Sequence, residues 1–155
     1  MEIIKADLLN HQHAQAFLTL TAVYMADDMG GGKPWTEPQK QKVIADLRTH
    51  PSCMILLARN ETDFVGVCTC FYGYSTFMAG GLINIHDIFV DPTHRGKGIG
   101  CWMLREVERL AREKGVAKIT LEVRFDNRPA QVLYLNEGYT DPEPPMMFWT
   151  KYLTP

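Results

Sequence analysis

The stretch His94-Arg95-Gly96-Lys97-Gly98-Ile99-Gly100 sets two cations among three glycines at alternate positions. It lies between the apolar run Ile88-Phe89-Val90, ended by Asp91-Pro92, and a helical pattern from Cys101 to Lys114. Glycines let backbone come close to a ligand, and a helix start presents unpaired N–H groups. Those groups and the helix dipole make an anion site, to which Arg95 and Lys97 add charge. The chemistry expected is a pyrophosphate cradle on a strand–loop–helix corner. A Walker loop needs Ser or Thr after Gly-Lys, where this chain has Gly98, and the dinucleotide fingerprint G-x-G-x-x-G is not met either. A Gly-rich turn that merely joins two elements is the plainer alternative.

Three other residues suit proton transfer. Tyr134 carries a phenol whose ordinary pKa of ~10 keeps it protonated at neutral pH. It can therefore donate a proton or a hydrogen bond; the competing reading, favoured on the residue alone, is an amphipathic packing residue with its hydroxyl at the surface. His86, with a reference pKa of ~6.5, suits a general base near neutral pH. Asp87 is its neighbour, and Asn84 could orient a water. The pair His86-Asp87 could equally be structural polar residues, and the base stays open between His86, Asp87 and a water.

These side chains need elements to hold them. Glu2–Ala6 suits a short strand, and a helix near 10–25 follows the cap Asn10, with Ala14, Phe17, Leu18, Thr21, Tyr24 and Met25 at helical spacing. Thr36-Glu37-Pro38-Gln39 is a capping box that opens a second helix, with Val43, Ile44 and Leu47 inward. Cys53–Ala58 and Phe64–Tyr72 read as a hairpin around Asn60-Glu61-Thr62-Asp63. In Ile83–Val90 the apolar parity changes: Ile83 and Ile85 are odd, Ile88 and Val90 even, with His86-Asp87 between. That change predicts a β-bulge, or else a strand buried on both faces. The helix after the glycines has a stripe of Ile99, Met103, Val107, Leu110 and Ala111 and stops at Gly115. Ala117–Arg124 alternates as a strand, so strand–helix–strand forms a parallel βαβ unit. Asp126 or Asn127 caps a last helix that ends at Gly138. Met146–Leu153 reads as a final aromatic strand, with a short strand at Tyr139–Thr140 as an addition.

The string Arg95-x-x-Gly98-x-Gly100 resembles the pyrophosphate loop of the GNAT superfamily of acyl-CoA-dependent N-acetyltransferases. A second signature follows in order: Asn127-x-x-Ala130-x-x-x-Tyr134-x-x-x-Gly138-Tyr139. The resemblance is strongest over Ile83 to Tyr139 and only topological before that. It implies an α/β (α+β) fold, with a central, mostly antiparallel sheet of about six to seven strands. A parallel βαβ unit would sit at its splayed centre, with helices on both faces, and 1–155 would form one domain. It further implies acetyl-CoA as co-substrate, with pyrophosphate on Arg95, Gly96, Lys97, Gly98, Ile99 and Gly100. The pantetheine arm would run along Ile88, Phe89 and Val90, with Asn127, Ala130 and Tyr134 beside it. Tyr134 is commonly the acid at the matching position. The base is often a carboxylate on the splayed strand, so a histidine at 86 is a departure. The activity implied is direct acetyl transfer to a primary amine of a small molecule or peptide. The rival is a non-catalytic acyl-CoA-binding sensor or structural module.

Acids and aromatics suit a cationic acceptor. Asp27, Asp28 and Trp35 lie in one loop, and Tyr72, Tyr74 and Phe77 near another; each is as easily explained as loop or core. His11, His13 and His50 read as surface residues. The chain of 155 residues, 46% apolar with net charge −2, suits one soluble domain with no implied polyanion partner. No apolar run approaches the ~20 residues of a membrane span, and the start Met1-Glu2-Ile3-Ile4-Lys5 is unlike a signal peptide. Cys53, Cys68, Cys70 and Cys101 form no C-x-x-C, and no metal is expected. A reducing cytoplasm is the expected setting. Cys101 at the helix start reads as structural, so no acylated-enzyme intermediate is expected. The aromatic end of the chain suggests a homodimer.

Overall fold

A computed structural model describes residues 1–153. Five strands form one sheet in the order β1 Glu2–Lys5, β2 Cys53–Asn60, β3 Asp63–Ser75, β4 Gly80–Val90 and β5 Lys118–Leu121. Neighbours are antiparallel except β4 and β5, which run parallel and are joined by a helical crossover. The helices are α1 His11–Ala26, α2 Glu37–Thr49, α3 Ile99–Glu113 and α4 Arg128–Asn136, with a 3₁₀ turn at Pro92–His94. No helix among the described residues is long and apolar enough to cross a membrane.

Local chemistry accounts for the helix ends. Asn10 Oδ1 accepts from the N–H of Gln12 at 2.8 Å. The Thr36 N–H donates to Gln39 Oε1 at 2.8 Å, with Pro38 in the first turn of α2. Asn127 Oδ1 accepts from the N–H of Ala130 at 3.3 Å and opens α4.

The sheet is buried on both faces. Met54, Leu56, Cys68, Cys70, Ile83 and Ile85 pack beneath Ile99, Met103 and Val107 of α3 and Tyr134 of α4. Ile55, Leu57, Val67 and Phe89 pack on the opposite face under Phe17 and Leu20 of α1, with α2 alongside. Alternate residues of β2 thus enter different cores, which a central strand requires.

The parity change in β4 is a bulge. Thr69 pairs with Asp87 and Cys70 with Ile85, so His86 is the extra residue with no partner on β3. The bulge lets Ile83, Ile85, Ile88 and Val90 all join the α3 and α4 side. The β4–β5 ladder runs from Leu82–Lys118 to Ile85–Leu121 and stops there. Past that point the two strands part, leaving one edge of residues 86–90 open.

Two expectations are corrected. The sheet has five strands, not six to seven, and Met146–Leu153 and Tyr139–Thr140 form no strand. Alternating aromatic residues confer strand propensity, but a strand exists only when a second backbone pairs with it. Here the segment stands off the sheet, with Met146, Phe148, Trp149 and Tyr152 exposed. The reading of Ala117–Arg124 is shortened for the same reason, since Glu122–Arg124 have left the edge of β4.

Candidate active site

The loop after β4 is built for an anion. Gly96 and Gly98 hold φ of 75° and 80°, the left-handed region where a Cβ is strained. Gly98 is the N-cap of α3 and offers no side chain to its amides. The N–H groups of residues 96 to 101 donate to no backbone carbonyl among the described residues. Six consecutive N–H groups without a backbone acceptor, at the positive end of a helix, favour an anion. Gly100 serves differently: a Cβ there would meet the Leu133 side-chain tip, Cδ2, at 3.0 Å, so its smallness gives that side chain room.

Arg95 is held at three points. Its Nε donates to the Val90 carbonyl at 3.0 Å, a terminal nitrogen donates to Asp27 Oδ2 at 2.8 Å, and its guanidinium lies over the Phe89 ring. The N–H of Met29, followed by Arg95, holds the Asp27 carboxyl below its ordinary range. Lys97 Nζ reaches the Thr93 carbonyl at 3.4 Å.

Where β4 and β5 part, residues from β4, α1 and α4 converge. Phe89 belongs to the α1 face, and Asp87, two residues earlier, shares that face. Tyr24 of α1 stacks on Phe89 with ring centres 5.4 Å apart. Burial raises the Tyr24 phenol, with Asp87 and Asp27 adding to it. Tyr134 comes from the opposite face and is nearly enclosed. Burial pushes its phenol up to about 12, and the nearby Tyr24 adds to that. A phenol so raised stays protonated throughout the physiological range. Tyr139 lies against it, with ring centres 6.0 Å apart.

His86 projects from the bulge, largely exposed, with Nδ1 3.3 Å from Asp87 Oδ2. Its pKa is raised, chiefly by that bond and against the effect of burial. The bulge therefore brings the two together, although strict strand alternation would send them to opposite faces. Phe71 packs edge-on against His86 at 5.8 Å and against His50 at 5.3 Å. Asn84 Nδ2 donates to Thr120 Oγ1 at 3.2 Å, tying β4 to β5 just before they part. The Thr69 hydroxyl, opposite Asp87 on β3, is buried without a hydrogen-bond partner among the described residues.

The outcome for other residues is mixed. Asp27 faces the anion loop through Arg95. Phe77 and Tyr74 stand exposed near the β3–β4 turn, six residues or about 20 Å along β4 from the bulge. Tyr72 lies on the α3 side, its hydroxyl on Met54 Sδ at 3.2 Å. Cys101 Sγ donates to Glu137 Oε1 at 2.6 Å, and that bond raises the thiol pKa, which fits a structural thiol. His50 is exposed, as expected, with Phe71 against its ring. Tyr24, Phe71 and Arg124 join the site without any local signal; Arg124 bonds Asp126 and reaches the Asp28 carbonyl at 3.4 Å. Among the described residues, no cluster of three or more metal-ligating side chains occurs.

The model of the acetyltransferase (GNAT) family matches residues 14–139. The uncharacterized N-acetyltransferase YhfO of Bacillus subtilis is 31% identical over 97 residues, covering 63% of this chain and 64% of the relative. A putative [ribosomal protein bS18]-alanine N-acetyltransferase of the same organism is 28% identical over 116 residues, covering 75% and 71%. A crystal structure of a probable acetyltransferase superposes with a TM-score of 0.82 at 21% identity, over 100% of this chain and 99% of that one, a likeness of fold.

Proposed function

This chain belongs to the acetyltransferase (GNAT) family, and from that premise we propose that it is an N-acetyltransferase. It moves the acetyl group of acetyl-CoA directly to a primary amine of a small molecule or peptide. The observation that carries this reading is the run of free N–H groups from residue 96 to 101, set one loop away from the gap between β4 and β5. Positive φ at Gly96 and Gly98 presents these amides with no side chain over them, which supports the diphosphate reading. Bound acetyl-CoA supplies the activated acyl group.

The chain's own residues divide the work. Residues 96–101, with Lys97 and the guanidinium of Arg95, hold the diphosphate. The open edge of Ile88, Phe89 and Val90 offers backbone groups to the pantetheine arm, with Asn127 and Ala130 at the start of α4 alongside. A backbone N–H there also suits the carbonyl oxygen, where negative charge gathers during attack. His86, with its ring oriented by Asp87, takes the proton of the incoming ammonium, or Asp87 does so itself. Tyr134 holds a proton on the far side of the gap, where a departing thiolate needs one. We place the whole of residues 1–155 in one acetyltransferase domain acting in the cytoplasm, consistent with four free cysteines.

The test is an amine panel assayed by release of free thiol, with calorimetry of acetyl-CoA binding alongside. Saturable heat with thiol release for some amine supports the reading. Binding without release for any amine would indicate a sensor module, and absence of heat would remove the cradle.

A further inference from the structure

Among the described residues, two buried side-chain polar atoms have no hydrogen-bond partner: Thr21 Oγ1 and Thr69 Oγ1. Thr21 is 7% exposed and Thr69 4%. Both lie in the layer between α1 and the sheet. Thr21 sits one turn after Phe17 and one before Tyr24 on the inward side of α1, and Thr69 follows Val67 on the sheet face that α1 covers. A buried hydroxyl left unpaired is costly, and ordered water commonly meets such groups where the protein does not.

The strand register shows what Thr69 serves. Thr69 pairs with Asp87 and Cys70 with Ile85, so the two bulge residues His86 and Asp87 oppose Thr69 alone. Directly paired residues of antiparallel strands share a face, with Cβ atoms about 4.5–5.5 Å apart. The hydroxyl makes no direct bond to the carboxylate, and at that spacing one water spans the two. Asp87 Oδ2 lies 3.3 Å from His86 Nδ1, which leaves Oδ1 to accept from the water.

We propose that Thr69 is a positioning residue for the proton-accepting pair: through one bound water its hydroxyl fixes the Asp87 carboxylate, so that Oδ2 stays on His86 Nδ1 and Nε2 keeps its lone pair. A histidine held by a hydrogen bond at Nδ1 has its tautomer set and presents a neutral Nε2. An N–H bond of the incoming ammonium then breaks as Nε2–H forms, the nitrogen keeps the electron pair for attack, and Asp87 faces the imidazolium. That use of the pair rests on the acetyltransferase reading; the chain Thr69–water–Asp87–His86 does not.

The test is Thr69→Val, which keeps a β-branched shape and deletes the hydroxyl, with Thr69→Ser as its conservative partner. The His86 ring is titrated by NMR, stability is read by denaturant midpoint, and kcat/KM is measured with an active amine. The charged groups facing His86 are Asp87 on its own strand and Glu122 beyond β5. Phe71 of β3 packs against it, and His50 packs on that same ring. All four stay in place in both variants. Thr69→Val is expected to bring the His86 pKa down toward ~6.5. It should lower kcat/KM at neutral pH by roughly five- to tenfold, the effect of one hydrogen bond, with acetyl-CoA affinity kept and the midpoint no higher than the wild type's. Thr69→Ser is expected to restore the titration and the rate. In an Asp87→Asn background, Thr69→Val is expected to leave the His86 titration where Asp87→Asn alone put it.

An idle hydroxyl predicts the contrary: Thr69→Val more stable than the wild type, with His86 unmoved. That result, or a Thr69→Val effect on His86 that persists after Asp87→Asn, would overturn the proposal. So would a crystal structure of the wild type with no water in reach of both Thr69 Oγ1 and Asp87, a readout that stands even where Thr69→Val fails to fold. The titration needs no acetyl transfer. A chain that shows the coupling but acetylates no amine loses the functional reading alone, and one that acetylates an amine without the coupling loses this inference alone.

Discussion

The Asp27 carboxylate accepts a 2.8 Å hydrogen bond from the Arg95 guanidinium across 68 residues of sequence. One anion therefore already occupies Arg95, and on the proposed reading a bound diphosphate would compete with it. Asp27→Asn keeps an acceptor for the Met29 N–H while removing the charge. Acetyl-CoA affinity is expected to rise roughly two- to fivefold, as for loss of a partly exposed ion pair; calorimetry checks it, and weaker binding would show that Asp27 positions Arg95 productively. The pair also has a pH signature. The folded-state carboxyl lies below its ordinary value, so its stabilising effect is present above that value and is lost as pH falls through the folded one.

Tyr134→Phe removes only a hydroxyl from a nearly enclosed side chain. Turnover is expected to fall by ~10²–10⁴-fold, the usual effect of losing one proton-transfer group. Acetyl-CoA affinity should stay nearly unchanged. Single-turnover rates with an active amine measure it, and an undiminished rate removes Tyr134 from the mechanism.

The pH profile reports on the base. Asp87 raises the pKa of His86, so with His86 as base the acidic limb of kcat/KM should lie above ~6.5. Asp87→Asn should move that limb to lower pH. A limb in the carboxylate range that survives His86→Gln would assign the base to Asp87. For stability the sign is opposite to that of Asp27: the contribution of the His86–Asp87 contact is full below the unfolded value and is lost as pH rises through the folded one. With His86 largely exposed, that contribution is small.

Two glycines of one loop should respond differently. Gly98 has φ of 80°, so Gly98→Val imposes strain of about 1–3 kcal/mol on the cradle. Acetyl-CoA binding should weaken by roughly ten- to a hundredfold. Gly100→Ala instead meets only the Leu133 side-chain tip, Cδ2 at 3.0 Å, which has to shift by a few tenths of an ångström, while alanine favours the helix by about 1 kcal/mol. Stability should therefore change by less than about 1 kcal/mol, read by denaturant midpoint, with a smaller effect on affinity than Gly98→Val. Equal behaviour of the two variants would contradict this division.

What could be read from residues alone was what neighbours in the chain decide. A glycine spacing, a capping asparagine and a parity change are local constraints on backbone dihedrals. The glycine turn that opens α3, the starts of α2 and α4 and the bulge at His86 are therefore all legible before any contact is known. The contact between His86 and Asp87 follows from that bulge, so the tertiary structure only gave it a distance. What needed the folded chain was every relation between elements. Tyr24 reads as one more apolar position of α1 until Phe89 is beneath it, and Asp27 reads as a loop acid until Arg95 arrives. The final strand was misread for the same reason. Residues 146–153 have the composition of a strand, but pairing is a property of two backbones, and composition states only half of it.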